Sequence, residues 1–320
     1  MMAPPRCLVG LPFRLAVMPL LMVALSICFM PIAFGADAVN WKEILSWKEL
    51  PETKVSCSSS DFHYYEFKTE NGSNAFLIVA DYGKHHLLAR PVVNPPKSHT
   101  SDAARSSNAL AAVNGGFFNL SNGESASYVT VNGKLECDPT LNKALTGNEK
   151  LKPFLPAIFD RSELRFTSDK KGELHISISG HNQPLKSGQT LIYALQAGPR
   201  LLPAMTDSKE AFVRTESDGK VIDSIGVNKT AARTSFGVTA DEKHVMILCV
   251  SSKRQDEFSS GVTLAEVASM LKTLGCTQAI NFDGGTSTTM VLKEENGDYK
   301  MVCGRTPETM VKTAFVIYKP

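Results

Sequence analysis

An α+β fold is predicted, with mixed, largely antiparallel sheets, a few flanking helices and one main domain. Three observations predict it. Apolar runs of strand length recur from Asn74 to the carboxyl end. Only one helix is strongly specified. The strands and helices do not alternate regularly, as a parallel βαβ sheet would require.

The elements follow in order. Asn74–Ala80 and His85–Val93 are β-type runs separated by an Asp-Tyr-Gly-Lys turn. A short helix is expected over 101–107, before a strand at Leu110–Val113. Ser125–Glu136 holds Asn132-Gly133 between alternating residues, which predicts a hairpin. Leu174–Ser179 alternates, and Gln189–Gln196 runs into the stop Gly198-Pro199. Arg233–Thr239 and His244–Val250 flank the polar turn Ala240–Lys243. Thr263 and Glu266 form a capping box for a helix whose apolar face carries Leu264, Val267, Ala268, Leu271 and Leu274. Gly275 ends that helix, and the strand Gln278–Phe282 follows. Ser287–Lys293, Tyr299–Cys303 and Thr313–Tyr318 complete the set.

Residues 1–35 read as an export signal, with basic Arg6 and Arg14 and the apolar run Leu15–Met30. Ala33 and Gly35 then stand at the −3 and −1 places of a cut before Ala36. The run is short for a spanning helix and no stop-transfer cluster follows it, so no stable membrane span is expected after removal. An uncleaved anchor is the competing reading. In both, the rest of the chain lies outside the cytoplasm, in a periplasmic or extracellular space. Residues 36–60 form a lead-in expected to pack on the domain edge, and 61–320 form the main domain. Without the signal, 32 basic residues balance 32 acidic ones. A neutral chain with no basic stripe is a poor binder of nucleic acid. The five cysteines beyond the signal, Cys57, Cys137, Cys249, Cys276 and Cys303, form no CxxC pair, so they do not announce a zinc site. Neither a metal nor a cofactor is called for by spacing. His85 and His86, read as strand residues, would point to opposite faces.

Two distant places share one local grammar. A strand enters Asn114-Gly115-Gly116-Phe117-Phe118, and another enters Asp283-Gly284-Gly285-Thr286-Ser287. Paired glycines let the backbone take positive φ or approach a ligand closely. Consecutive amide N–H groups there can nest an anion. Asn-Gly and Asp-Gly are also common hairpin turns. Against that bland reading stand the aromatic bulk of Phe117-Phe118 and the lack of alternation in the strand before Asp283.

NGGFF at 114–118, ARTSFG at 232–237 and AINFDGGTSTTM at 279–290 resemble the phosphodiester glycosidase family. The likeness runs from about residue 70 to the carboxyl end. Thr286 stands where that family often has a third glycine. The resemblance implies hydrolysis of a sugar joined through its anomeric carbon to a phosphate diester. It implies roles in this chain too. Arg233 and Arg305 match arginine positions and become phosphate clamps. Asp283 and Glu124 match acidic positions and become the acid/base pair. Asn114 orients the substrate, with Gly115, Gly116, Phe117, Gly284, Gly285, Thr286 and Ser287 lining the binding site. The expected partner is a sugar-phosphodiester or phosphorylated glycan, such as an envelope or extracellular polysaccharide. A non-catalytic carbohydrate-binding module on the same scaffold and a transglycosidase are the competing classes.

Overall fold

In the computed structural model the described residues are 52, 53, 55, 57–69, 71–84, 86–251 and 261–320. The expected export signal lies outside them, as does most of the lead-in. The described end of the lead-in adds to the edge of the first strand, where Thr53 N donates to Tyr64 O at 2.9 Å.

The order begins with β1 (Phe62–Lys68), β2 (Asn74–Asp81), β3 (Leu88–His99), helix α1 (Thr100–Ser106) and β4 (Ala111–Asn114). The hairpin β5 (Val129–Val131) and β6 (Lys134–Cys137) leads through α2 (Lys143–Thr146) and α3 (Leu155–Phe159) to β7 (Ser162–Ser168), β8 (Leu174–Gly180) and β9 (Thr190–Gln196). Next come β10 (Arg200–Leu202), β11 (Val213–Thr215), β12 (Val221–Asp223), β13 (Arg233–Thr239) and β14 (His244–Ser251). Helix α4 (Leu264–Thr273) precedes β15 (Cys276–Asn281), β16 (Met290–Lys293), β17 (Tyr299–Cys303) and β18 (Met310–Tyr318).

Among the described residues these strands form three antiparallel sheets and a two-stranded ribbon. The first sheet runs β1-β2-β14-β13-β15-β10, the second β17-β16-β4-β18-β3 and the third β6-β5-β9-β7-β8. Helices are few and short, so strand architecture dominates the α+β class. The three sheets share one core through aromatic contacts. Phe236 of the first sheet stacks on Phe282 at 4.5 Å and meets Phe315 of the second edge-on at 4.8 Å. Phe315 in turn lies 5.7 Å from Phe166 of the third. These rings are all about fully buried, and aromatic pairs at such spacings add to simple area burial.

The outer face of the first sheet is covered by α4, whose Leu264, Val267 and Leu271 are buried against it. The capping box forms as predicted: Glu266 N donates to Thr263 Oγ1 at 3.3 Å, and Thr263 N to Glu266 Oε2 at 2.6 Å. Gly275 follows with φ +88°. The Asn132-Gly133 hairpin also forms, both residues having positive φ. Cys249 is a core thiol whose Sγ lies 3.7 Å from Thr234 Oγ1, to which it donates.

One expectation is corrected, and one strand is added. His86 lies in the turn before β3, not in a strand, and its Nδ1 pairs with Asp61 at 2.9 Å. The alternation argument therefore does not apply to it. β7 was not read from the sequence although Glu163–Thr167 alternates polar and apolar residues, and its polar positions prove to be buried as an ion pair. Arg165 Nε meets Glu163 Oε1 at 2.6 Å, and its other nitrogens reach the carbonyls of Gln183, Gly180 and His181. Charged residues with this many partners are buried without the usual penalty.

Candidate functional site

The two Gly-Gly corners fold against each other. β4 and β15 are inner strands of different sheets, and each ends in a buried asparagine that starts or precedes a corner. The tie is the Asn114 side chain. Its Nδ2 donates to Asp283 O at 2.6 Å, and its Oδ1 accepts from Thr234 Oγ1 at 2.7 Å and Thr289 N at 3.1 Å. Asp283 N donates to Gly115 O at 3.1 Å. Asn114 thus uses both ends of its amide to hold β4, β13 and the Asp283 corner in one register. It lies beneath the corner and orients the protein's own backbone.

The glycines serve mainly to save space. Gly285 has φ +59°, but for the others the obstacle is crowding. A Cβ on Gly115 would fall 2.3 Å from Thr313 Oγ1, and one on Gly116 would fall 2.5 Å from Gln196 O. Gly116→Ala is expected to lower stability by about 2–3 kcal/mol through this overpacking. An unchanged urea midpoint would show that the corner has slack.

The expected anion nest is not there. Gly115 N and Gly116 N donate to Thr313 O and Oγ1, and Phe117 N to Ser127 Oγ. In the second corner Gly284 N donates to Asp283 Oδ1, Gly285 N to Ala232 O, and Ser287 N and Thr288 N to carbonyls of the same turn. Of the amides from 283 to 288, Thr286 N–H alone has no such partner among the described residues. The corners are built to hold each other, so an anion is met by side chains and at most the one Thr286 N–H.

A cleft of about 390 Å³ opens over the second corner. Of the residues named from sequence, Phe117, Arg233, Asp283, Gly284, Gly285, Thr286 and Ser287 line it. Gly115 and Gly116 pack behind it. Arg305 does not line it, although register places it at the corner end of the second sheet: Cys303 pairs with Met290, which pairs with Val113. Glu124 does not line it either. It sits at the end of the 119–124 loop, where its carbonyl accepts from Asn119 N. Asp283 is therefore the one carboxyl among the described residues lining the cleft. Asp283 and Arg233 are the only charged side chains among the described lining residues.

Their electrostatics differ from the sequence picture. Arg233 is buried and donates to four carbonyls: Val262 at 3.1 Å, Ile225 at 3.0 Å, Gly226 at 2.5 Å and Lys229 at 2.7 Å. A guanidinium has five N–H donors, so one Nη1–H is left. Burial lowers its pKa to about 10, opposed by Asp223, and it stays cationic at neutral pH. Arg233 is a fixed charge in the wall, not a swinging fork. Asp283 is partly buried. The protein crowded around its carboxyl raises its pKa to about 6, against hydrogen bonds from Ser287 and Gly284 N that lower it.

Of the lining residues that the sequence reading did not name, one is a buried amide. Asn281, the last residue of β15, is 1% exposed and stands two residues before Asp283. Its only signal was a polar residue inside an otherwise apolar strand end.

The phosphodiester glycosidase family model matches residues 107–318. No curated protein matches the chain in sequence. Among solved structures, the chain is similar to a hypothetical protein from Synechocystis (15% identity, TM-score 0.55), covering 82% of this chain and 63% of that one. It thus spans less than two thirds of that protein. It is similar also to the catalytic domain of zebrafish N-acetylglucosamine-1-phosphodiester α-N-acetylglucosaminidase, at 16% identity and TM-score 0.55, covering 84% of this chain and 88% of that one. A Burkholderia pseudomallei protein assigned as exported aligns at 16% identity and TM-score 0.58, over 77% of this chain and 74% of its own. At these identities the structures speak for the fold. The family match spans both corners and the cleft above them, and by it the chain belongs to the phosphodiester glycosidase family.

Proposed function

We propose that the cleft hydrolyses a glycosyl-1-phosphodiester, a sugar such as N-acetylglucosamine joined through its anomeric carbon to a phosphate diester. The observation that carries this reading is the pairing of one carboxyl, Asp283, with one fixed cation, Arg233, on the walls of one cleft. Cleavage at an anomeric carbon needs a carboxylate to act on the developing oxocarbenium centre or on water. The departing phosphate monoester is a good leaving group, so a second carboxyl acting as acid is dispensable. Its negative charge is met by Arg233 and by hydroxyl donors such as Thr286. Both charges are set in a partly water-excluded site, where their effect is larger than in water.

We place this activity outside the cytoplasm, on the basic and apolar pattern of residues 1–30. The substrate is then an envelope or extracellular glycan. The test is release of free sugar from an α-N-acetylglucosamine-1-phosphate ester by the purified protein. Release that is lost in Arg233→Ala and partly kept in Arg233→Lys, with both variants folded by circular dichroism, supports the site. Release untouched by either change removes Arg233 from it. Binding of the ester with no release favours a carbohydrate-binding module instead.

A further inference from the structure

We propose that Asn281 Oδ1 is a specificity-determining acceptor that receives a hydroxyl or amide N–H from the sugar held in the cleft. This rests on the hydrolase reading of the same cleft and adds the direction in which the substrate lies.

The Asn281 amide is fixed in one orientation. Its Nδ2 donates to Gly198 O at 3.0 Å. Its main chain is engaged with the same segment, Gly198 N donating to Asn281 O at 2.9 Å and Asn281 N to Pro199 O at 3.0 Å. Rotating the amide by half a turn would set Oδ1 against Gly198 O, acceptor to acceptor. Oδ1 is therefore the atom turned away from Gly198, and no described residue donates to it. A buried carbonyl oxygen without a donor carries a desolvation penalty that native proteins seldom leave standing. Asn281 is at once almost fully buried and part of the cleft wall.

A second acceptor in the same state stands beside Gly198. Glu210 Oε2 is buried without a partner, and a Cβ on Gly198 would lie 2.2 Å from it. Glu210 Oε1 takes donors from Ser162 Oγ at 2.7 Å and Arg200 N at 3.2 Å. Glu210 does not line the cleft, so Asn281 Oδ1 is the acceptor on this wall, and it disfavours a phosphate and calls for a donor. Arg233 supplies the cationic wall of the same cleft. The substrate accordingly sets its phosphate toward Arg233 and a donor-bearing carbon of its ring toward Asn281, leaving Asp283 to act between them.

The test is equilibrium binding by titration calorimetry, which needs no turnover. The probes are α-N-acetylglucosamine 1-phosphate and a panel of its monodeoxy and des-acetamido analogues. Wild type is compared with Asn281→Leu, which is near in size and lacks the acceptor. One analogue is expected to bind wild type about 10- to 100-fold more weakly than the parent. The same analogue should show no such loss in Asn281→Leu, because the variant has already lost that bond. Losses of equal factor in both proteins for every analogue overturn the proposal while leaving the hydrolase reading intact. Failure of wild type to bind the parent overturns the hydrolase reading and this one with it. If Asn281→Leu is unfolded by urea titration, Asn281→Ser takes its place with the same criteria.

Discussion

Asp283→Asn is expected to lower kcat/KM for sugar release by at least about 10³-fold while making the protein more stable at neutral pH. The two effects share one cause. The Asp283 carboxyl is crowded by protein, which raises its pKa to about 6 from an ordinary 3.8. For wild type, kcat/KM should rise with pH through about 6 as the carboxyl ionises into its working form. The stability consequence runs the other way. A group whose folded pKa is raised binds its proton more tightly when folded. Stability is therefore highest below about 3.8 and declines as pH rises toward about 6. The interval between those values corresponds to about 3 kcal/mol. In Asp283→Asn the isosteric neutral amide still accepts from Gly284 N–H, so the pH-dependent decline disappears with the activity. Urea midpoints from pH 4 to 8, set beside rates over the same range, check both limbs. Residual release within about tenfold of wild type would remove Asp283 from the chemistry. A parallel fall in stability in both proteins would mean that another group titrates there.

The second large effect is structural. Asn114→Ala should destabilise the fold by about 3–5 kcal/mol, because it strands three buried partners at once: Asp283 O, Thr234 Oγ1 and Thr289 N. Thr234→Val removes only one of these bonds and should cost about 1 kcal/mol. The contrast between the two variants, read by urea titration, is the measurement. Equal small losses would mean that the corners are held by their surrounding strands and not by this amide. A large loss for Asn114→Ala alone would make the asparagine the joint on which the cleft floor depends.

The strands that were legible in sequence are those with an unbroken apolar run, such as β2 and β14, one wet face or a clear turn. β8 alternates, the Asn132-Gly133 pair announces its hairpin, and Thr263 with Glu266 marks the start of α4. β7 alternates as well and was passed over; what the alternation could not show is that its polar face, Glu163 and Arg165, is buried as an ion pair. β10, β11 and β12 have three residues each, too few for any period to show. In the site, the two corners were legible as places of close backbone approach, but what approaches was misjudged. Their amides serve each other, and Asn114 serves both. Arg233 was read as a phosphate clamp, and only coordinates reveal that it is buried and holds four carbonyls. Glu124 sits in the right motif but is not among the residues lining the cleft, and its Oε2 is buried without a partner among the described residues. Asn281 was passed over because asparagine at the end of a strand looks like turn chemistry. Its importance comes from an unmatched oxygen, and a sequence carries no record of which hydrogen bonds go unmade.

The chain of rings from Phe282 through Phe236 and Phe315 to Phe166 stitches the three sheets at their common centre, and Phe282 is the immediate neighbour of Asp283. The floor of the cleft therefore has no independent hinge. Inactivation and global melting are accordingly expected to share one midpoint, and activity lost well below the melting temperature would show that the cleft loosens first.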